Sequence, residues 1–183
     1  TFIVHDIASA FEKHGIGWKR RNVIVWNKRY AFQKSPCGKA SAENPYFIPN
    51  HEYLIVFSKG DWKATPEMPN APSDLTKAEY HKWGQSVWNI VPQSKAKGDH
   101  SCPFPEPLVE RVIKMLSFVG DTVVEPWLGS GTTTAVAARL GRSWFGCDIS
   151  PKYCLHSADR TAKAHKEFIE QAKSTKDTDK LAA

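Results

Sequence analysis

The chain has 183 residues, 41% of them hydrophobic and 24% charged, and 25 Lys and Arg against 19 Asp and Glu give a formal charge of +6. That length and apolar content suit one ordinary domain with a core and exclude a disordered chain. No apolar run approaches the roughly 20 residues that span a bilayer and no signal peptide is visible, so neither a membrane helix nor a membrane partner is expected.

The opening residues, Thr1-Phe-Ile-Val-His5, read as a buried strand already under way, and native sequence is expected before Thr1. A short helix over 7–14 follows, with Asp6 as N-cap and Gly15 and Gly17 ending it. Arg21-Asn-Val-Ile-Val-Trp26 is rich in β-branched residues and predicts a second strand. Periodicity then disappears from 27 to 50, where Pro36, Gly38, Pro45 and Pro49 mark a long loop of the kind that is functional or mobile. Glu52-Tyr-Leu-Ile-Val-Phe57 predicts a third strand. Residues 61–100 form a second irregular region broken by Pro66, Pro69 and Pro72, with one capped helix over 73–83.

Apolar residues at Leu108, Val109, Val112, Ile113 and Leu116 then recur with one-face helical spacing behind Pro105 and Pro107. A strand over 122–126, a helix over 135–141, a strand over 143–148 and a last helix from Pro151 to about Ala172, capped by Ser150, complete the series. The order predicts an α/β fold with a largely parallel sheet. Ser174 to Lys180 is polar and frayed, and Lys180-Leu-Ala-Ala183 has the look of an expression-vector scar.

Charge and cysteines bound the setting. Residues 1–60 hold nine Lys/Arg against four Asp/Glu. A basic half that also bears tryptophan points either to a polyanionic partner or to a solvated basic surface. Cys37, Cys102, Cys147 and Cys154 show no Cys-x-x-Cys spacing. Cys147 is expected in a buried strand and Cys154 in a helix. Reduced thiols, a cytoplasmic setting and no metal site follow.

The most informative stretch is Asp121 to Asp148. A strand ends in Glu125, the turn Gly129-Ser-Gly131-Thr-Thr133 leads into a helix, and the next strand ends in Asp148. Strand ends so connected converge on one crevice, and free amides at a helix start receive the anionic end of a ligand. The turn is not Gly-x-Gly-x-x-Gly and no Lys follows it, which argues against a dinucleotide dehydrogenase and a nucleotide hydrolase. Glu125 would repel a pyrophosphate but suits an ammonium or a sulfonium. Ser130, Thr132 and Thr133 could face a carboxylate, and Asp148 a ribose diol. An amino acid at one end and a ribose at the other describe S-adenosylmethionine. A tight turn with no ligand is the structural alternative.

Glu125-Pro126-Trp127-Leu-Gly129-Ser130-Gly131-Thr132-Thr133 closely resembles the Asp-Pro-Phe-x-Gly-Ser-Gly-Thr-Thr motif of DNA amino-methyltransferases, which methylate cytosine N4 or adenine N6. Glu replaces Asp at 125 and Trp replaces Phe at 127. His100-Ser-Cys-Pro-Phe104-Pro105-Glu-Pro-Leu108 resembles the family's His-Pro-x-x-Phe-Pro-x-x-Leu segment, which covers the methionine end of the cofactor, with Ser101 in place of the first Pro. Gly141-Arg142-Ser-Trp-Phe-Gly146-Cys-Asp148-Ile149 is similar to the segment whose acid takes the ribose hydroxyls and whose next apolar residue packs on adenine. Val25-Trp26-Asn-Lys28 and His51-Glu52-Tyr-Leu-Ile-Val-Phe57 resemble two further segments. The five lie in the order of the permuted class of these enzymes and cover roughly residues 1–170.

The resemblance implies a Rossmann-like S-adenosylmethionine-dependent methyltransferase fold, mostly parallel with an antiparallel strand. It implies one partial methyltransferase domain over 1–173 and a polar tail over 174–183. It implies double-stranded DNA as partner, with regions 30–50 and 61–99 as target-recognition segments. Lys28, Arg29, Lys34, Lys39, Lys95 and Lys97 are candidate phosphate contacts, which supply affinity rather than sequence reading. A bacterial, archaeal or phage-type enzyme is implied, and a restriction–modification role; a companion chain and a homodimer stay open.

The family's catalytic tetrapeptide, Ser, Asp or Asn then Pro-Pro-Tyr/Phe, is not in this chain. Asn44-Pro45-Tyr46-Phe47 has one Pro too few and follows the Trp26 strand instead of preceding Thr1, so the catalytic residues stay unassigned. The strand that carries the tetrapeptide is expected between the strands at 122–126 and 1–5. Residues 36–46 vaguely resemble loops of cytosine-N4 enzymes. Against the enzyme stands a non-catalytic methyltransferase-like module that binds DNA or a partner subunit, which the departures at Ser101, Glu125 and Trp127 favour.

Overall fold

The computed structural model describes residues 2–15, 17–28, 42–43, 50–93 and 103–181. It divides into two units, one of residues 1–64 with 78–92, the other of residues 65–77 with 93–183.

The first unit begins with helix α1 (Phe2–His14), not a strand. Ile3-Val4 suggested extended chain, but Val4, Ala8 and Phe11 recur at helical spacing, and that period prevails over the β-branched pair. The expected strand at 1–5 is therefore wrong, and with it the placing of a missing strand beside it. Asp6 lies inside the helix rather than at its cap. Gly15 ends it as expected. Its N–H donates to the Phe11 carbonyl at 2.8 Å, and a Cβ there would come within 2.3 Å of the same oxygen.

Strand β1 (Trp18–Asn27) pairs antiparallel with β2 (His51–Lys59) along its whole length, with a bulge between Arg20 and Asn22. Phe11 of α1 stacks on Phe57 of β2 with centroids 5.1 Å apart. Helix α2 (Lys77–Trp83) is shorter than the expected 73–83, and Asp74, before its start, pairs with Arg142. Strand β3 (Val87–Asn89), inside the region expected to be irregular, pairs parallel with the end of β1. Three residues are too few for a periodicity signal. Trp26 and Trp88, paired across these strands, are both buried. Their indole N–H groups donate to the carbonyls of Ile90 and Trp83, each at 2.8 Å, as buried indoles require.

The second unit contains α3 (Glu106–Leu116), β4 (Thr122–Glu125), α4 (Thr132–Arg139), β5 (Ser143–Gly146) and α5 (Pro151–Leu181). Strands β4 and β5 are parallel, with Val123 opposite Trp144 and Val124 opposite Phe145. One face of this pair is packed: Val109 and Ile113 of α3 meet Val136 and Ala137 of α4 over Val123 and Trp144. Leu116, expected on that face, is 46% exposed. Cys147, expected in a buried strand, lies just past β5 and is exposed. Cys147 and Cys154 are both free thiols.

Helix α5 runs nine residues beyond the expected end at Ala172, so the polar stretch expected to be frayed is helical as far as Leu181. Among the described residues no helix is long and apolar enough to cross a membrane. The class is α/β, with parallel β1–β3 and β4–β5 pairs and the antiparallel β1–β2 pair.

Candidate functional site

The turn between β4 and α4 is held by two acids. The Glu125 carboxylate closes β4 and accepts the Trp127 N–H at 2.9 Å on one oxygen and the Thr133 hydroxyl at 3.1 Å on the other. Asp148, two residues past β5, accepts the Gly129 N–H at 2.8 Å and the Ser150 N–H at 2.8 Å. Thus the two expected ligand acids fix the loop that separates them, and Asp148 also ties it to the start of α5. Leu128 N–H donates to the Cys147 carbonyl, which closes the same crossing through the backbone.

Gly131 is the N-cap of α4 and has φ +74°, in the left-handed region where a side chain is strained. A Cβ there would lie 2.2 Å from the Ser157 hydroxyl oxygen. Small residues allow this approach: Thr134 Oγ1 on α4 hydrogen-bonds Thr161 Oγ1 on α5 at 2.8 Å, and Ala135 and Ala138 pack on Ala164. The three hydroxyl residues Thr134, Ser157 and Thr161 were not singled out in the sequence. The signal was there in Ser157, Thr161 and Ala164, small residues spaced along one face of a helix.

Phe104, Glu125, Trp127, Gly129, Ser130, Thr132 and Thr133 all line one open cleft, together with Pro103 and Leu128. The structure therefore brings together seven of the twelve expected cofactor residues. Pro105 is the N-cap of α3, and the Pro126 carbonyl accepts the Cys147 thiol at 3.5 Å. Trp127 and Ile149 project to solvent, 83% and fully exposed. Ser130 and Thr132 are buried, and the Thr132 hydroxyl accepts a hydrogen bond from Arg160 at 3.1 Å.

Arg160 is a site residue that sequence reasoning missed. It also donates to the Ser130 carbonyl at 3.2 Å and to Glu106 at 2.6 Å, and Glu106 in turn accepts from Arg139 at 2.8 Å. One carboxylate thereby links α3, α4 and α5 behind the glycine turn. Burial alone would raise the Glu106 pKa, but hydrogen bonds and charge from Arg139 and Arg160 outweigh it and hold the group below its ordinary 4.5. A depressed folded-state value means a stabilisation present above the unfolded-state value and lost as pH falls through the folded one. The stability gap between wild type and Glu106→Gln is therefore expected to be full at neutral pH and to close as the solution is acidified below about 4.5. Urea midpoints of both proteins across that range measure it, and a gap independent of pH would refute the assignment.

Among the candidate DNA contacts, Lys28 lies in the first unit, ion-paired with Glu52 and with its ammonium 5.0 Å from the centroid of the Trp26 ring. Arg29, Lys34, Lys39, Lys95 and Lys97 lie outside the described residues, as do Asn44 to Phe47, His100, Cys37 and Cys102. Among the described residues no group of three or more His, Cys, Asp or Glu is placed to hold a metal.

Comparison with known proteins agrees with this geometry. The family model described as DNA methylase, of the N6/N4 type, matches residues 5–159. Type II methyltransferase M.MjaI of Methanocaldococcus jannaschii is 35% identical, over 78% of this chain and 48% of its own. Type II methyltransferase M.XycI of Xanthomonas campestris pv. cyanopsidis is 32% identical, over 82% and 47%. The chain thus spans about half the length of the curated relatives it matches. A crystal structure described as a DNA modification methylase of Thermus thermophilus, complexed with S-adenosyl-L-methionine, superposes with a TM-score of 0.69. It is 29% identical and covers 88% of this chain and 60% of that one. The cytosine-N4-specific PvuII DNA methyltransferase, at 19% identity and a TM-score of 0.67 over 93% of this chain and 64% of its own, shares the fold. The S-adenosylmethionine-dependent methyltransferase fold expected from the turn and its flanking segments is thereby shown, and the chain belongs to the N6/N4 DNA methylase family.

Proposed function

We propose that this chain is the cofactor-holding part of a site-specific DNA methyltransferase that acts on an exocyclic amine, cytosine N4 in preference to adenine N6. The observation that carries the reading is the cleft in which Glu125, the glycine turn, Thr132, Thr133 and Phe104 meet, with Asp148 bonded to the same turn. The donor set fits S-adenosylmethionine, and the Thermus relative was crystallised with it. When bound, this cofactor supplies an electrophilic methyl group on a sulfonium.

The residues have distinct roles in this reading. Glu125 accepts hydrogen bonds from the ammonium of the methionine moiety. The free amides at the start of α4 receive its carboxylate. Gly129 and Gly131 let backbone approach where a side chain would collide. Asp148 accepts the ribose hydroxyls, and Ile149, now bare, covers adenine. Phe104 and Pro105 close over the methionine end. Residues 30–50 and 61–99 serve target recognition, and Lys28, Arg29, Lys34, Lys39, Lys95 and Lys97 take DNA phosphates. The target base leaves the stack to reach the cleft. The groups that align its amine belong to the tetrapeptide this chain lacks, so positioning for in-line transfer is completed by residues outside it. Reduced thiols suit a cytoplasmic enzyme.

Calorimetric titration of the full-length protein with S-adenosylmethionine tests the cofactor. Binding is expected, weakened by at least about tenfold in Glu125→Ala, since a charge-assisted hydrogen bond contributes about 1.5–3 kcal/mol. No binding by the wild type would favour the second reading, a methyltransferase-like module that binds DNA or a partner without catalysis, to which the exposed Trp127 lends support. Mass analysis of nucleosides from treated DNA then decides between N4-methylcytosine and N6-methyladenine.

A further inference from the structure

The two threonines at the start of α4 line the same cleft with opposite polarity, and Arg160 sets the polarity of one of them. The Thr133 hydroxyl donates its proton to Glu125 at 3.1 Å, so what it has left to offer is a lone pair. Thr132 is the reverse. A guanidinium only donates, so the Thr132 oxygen accepts the Arg160 N–H at 3.1 Å and keeps its own proton to give. Among the described residues no acceptor takes that proton. The same Arg160 nitrogen also fills the Ser130 carbonyl at 3.2 Å, an acceptor to which the Thr132 proton would otherwise turn.

Arg160 is itself held in place. Its other terminal nitrogen donates to Glu106 at 2.6 Å, and Glu106 takes Arg139 on its second oxygen. Two cations thus meet one anion, which leaves one positive charge behind the glycine turn. That charge adds to the free amides at the start of α4 and favours an anion there. Glu125, bonded to Thr133, favours a cation instead. A lysine at 160 would bring the charge but not the planar fork that serves three acceptors at once.

We propose that Arg160 is a positioning residue that makes the cleft selective for a zwitterionic α-amino acid head. It turns Thr132 into a donor for the carboxylate, beside Thr133 and Glu125 as acceptors for the ammonium. The inference rests on the cofactor reading above and adds to it what the cleft distinguishes. A ligand with the ammonium but no carboxylate gives Thr132 nothing to donate to.

The test is calorimetric titration of the full-length protein with S-adenosylmethionine and with its decarboxylated analogue, which keeps the ammonium and the sulfonium. Thr132→Val keeps the shape and removes the hydroxyl. It is expected to weaken binding of S-adenosylmethionine by about tenfold or more, as loss of a hydrogen bond to a charged group predicts, and to leave the analogue within twofold. Arg160→Ala should repeat this pattern without removing any group that touches the ligand. The double variant should bind about as well as the weaker single one, because the arginine acts through the hydroxyl. Circular dichroism verifies folding, and Arg160→Lys, which keeps a charge for Glu106, carries the same test if the alanine variant does not fold. Where the wild type binds S-adenosylmethionine, a folded Arg160 variant that binds it within twofold overturns the proposal. So does one that loses both ligands equally, which describes mere support of the turn, and so do single effects that multiply in the double variant. A wild type that binds neither ligand removes the cofactor reading itself, and the proposal with it.

Discussion

Arg142→Ala is expected to lower the free energy of unfolding of the second unit by about 3 kcal/mol, toward the lower end of what breaking a buried ion pair costs. The Arg142 side chain is wholly buried and its fork meets both oxygens of Asp74, at 2.8 and 2.7 Å. The remaining donors reach the Leu140 carbonyl at 2.8 Å, the Ser117 carbonyl at 2.9 Å and the Ser117 hydroxyl at 3.3 Å. One side chain therefore joins the segment before α2, the end of α3 and the turn between α4 and β5. Removing it strands two carbonyls and leaves a cavity. Asp74, 30% exposed, recovers part of its hydration, and for that reason the cost stays near the low end. Arg142→Lys keeps the charge but loses the planar fork, and belongs between the two. Urea unfolding of the three proteins measures the series. An alanine variant as stable as wild type would show that the pair merely offsets its own desolvation.

Gly131→Ala should cost about 2–5 kcal/mol and abolish tight cofactor binding with it. Part of the cost is conformational, because φ is +74° and a left-handed residue with a Cβ loses roughly 1–2 kcal/mol. The rest is collision. The new methyl carbon would sit 2.2 Å from Ser157 Oγ and 2.9 Å from Ser157 Cα, and overpacking of this kind costs about 1–3 kcal/mol. Relief therefore requires α4 and α5 to separate, and the turn they support would move with them. Adding Ser157→Gly removes the contact with the hydroxyl but not the one with the backbone, so the double variant should recover part of the stability, not all. Thermal unfolding paired with cofactor titration reads both effects. A single variant that binds normally at full stability would contradict the close approach of the two helices.

Those two residues differ in how far the sequence revealed them. Gly131 was legible because a glycine turn between an apolar strand and a helix has few other uses, and the acids at 125 and 148 flank it at the right places. The strands at β1 and β2 were legible from their β-branched runs. Helix α1 was not. Its first residues satisfy strand and helix patterns alike, and only the recurrence at Ala8 and Phe11 separates them. Strand β3 was too short to show a period. Arg142 appeared only as part of a resemblance, since nothing local announces that an arginine will meet an aspartate 68 residues earlier in the chain. Arg160 and Glu106 were missed for the same reason: charged residues on helices look solvated until the elements that bury them are placed. The cofactor loop was thus readable as a local pattern, whereas the bracing behind it, built from long-range pairs, was not.

Helix α5 carries a further meaning in time rather than in space. Its 31 residues extend for about 46 Å. Its first half is pinned by Ser157, Thr161 and Ala164 against α4, and by Phe168, which packs where Gly141 leaves room. From Ile169 to Ser174 every residue is exposed, and a Lys166–Glu170 ion pair lies along the outer face. Such a helix has two lifetimes. The pinned half opens only with the unit as a whole, while an exposed helical segment such as 169–174 opens at a lower cost. Phe168 lies at the boundary between the two regimes, packed where Gly141 leaves room.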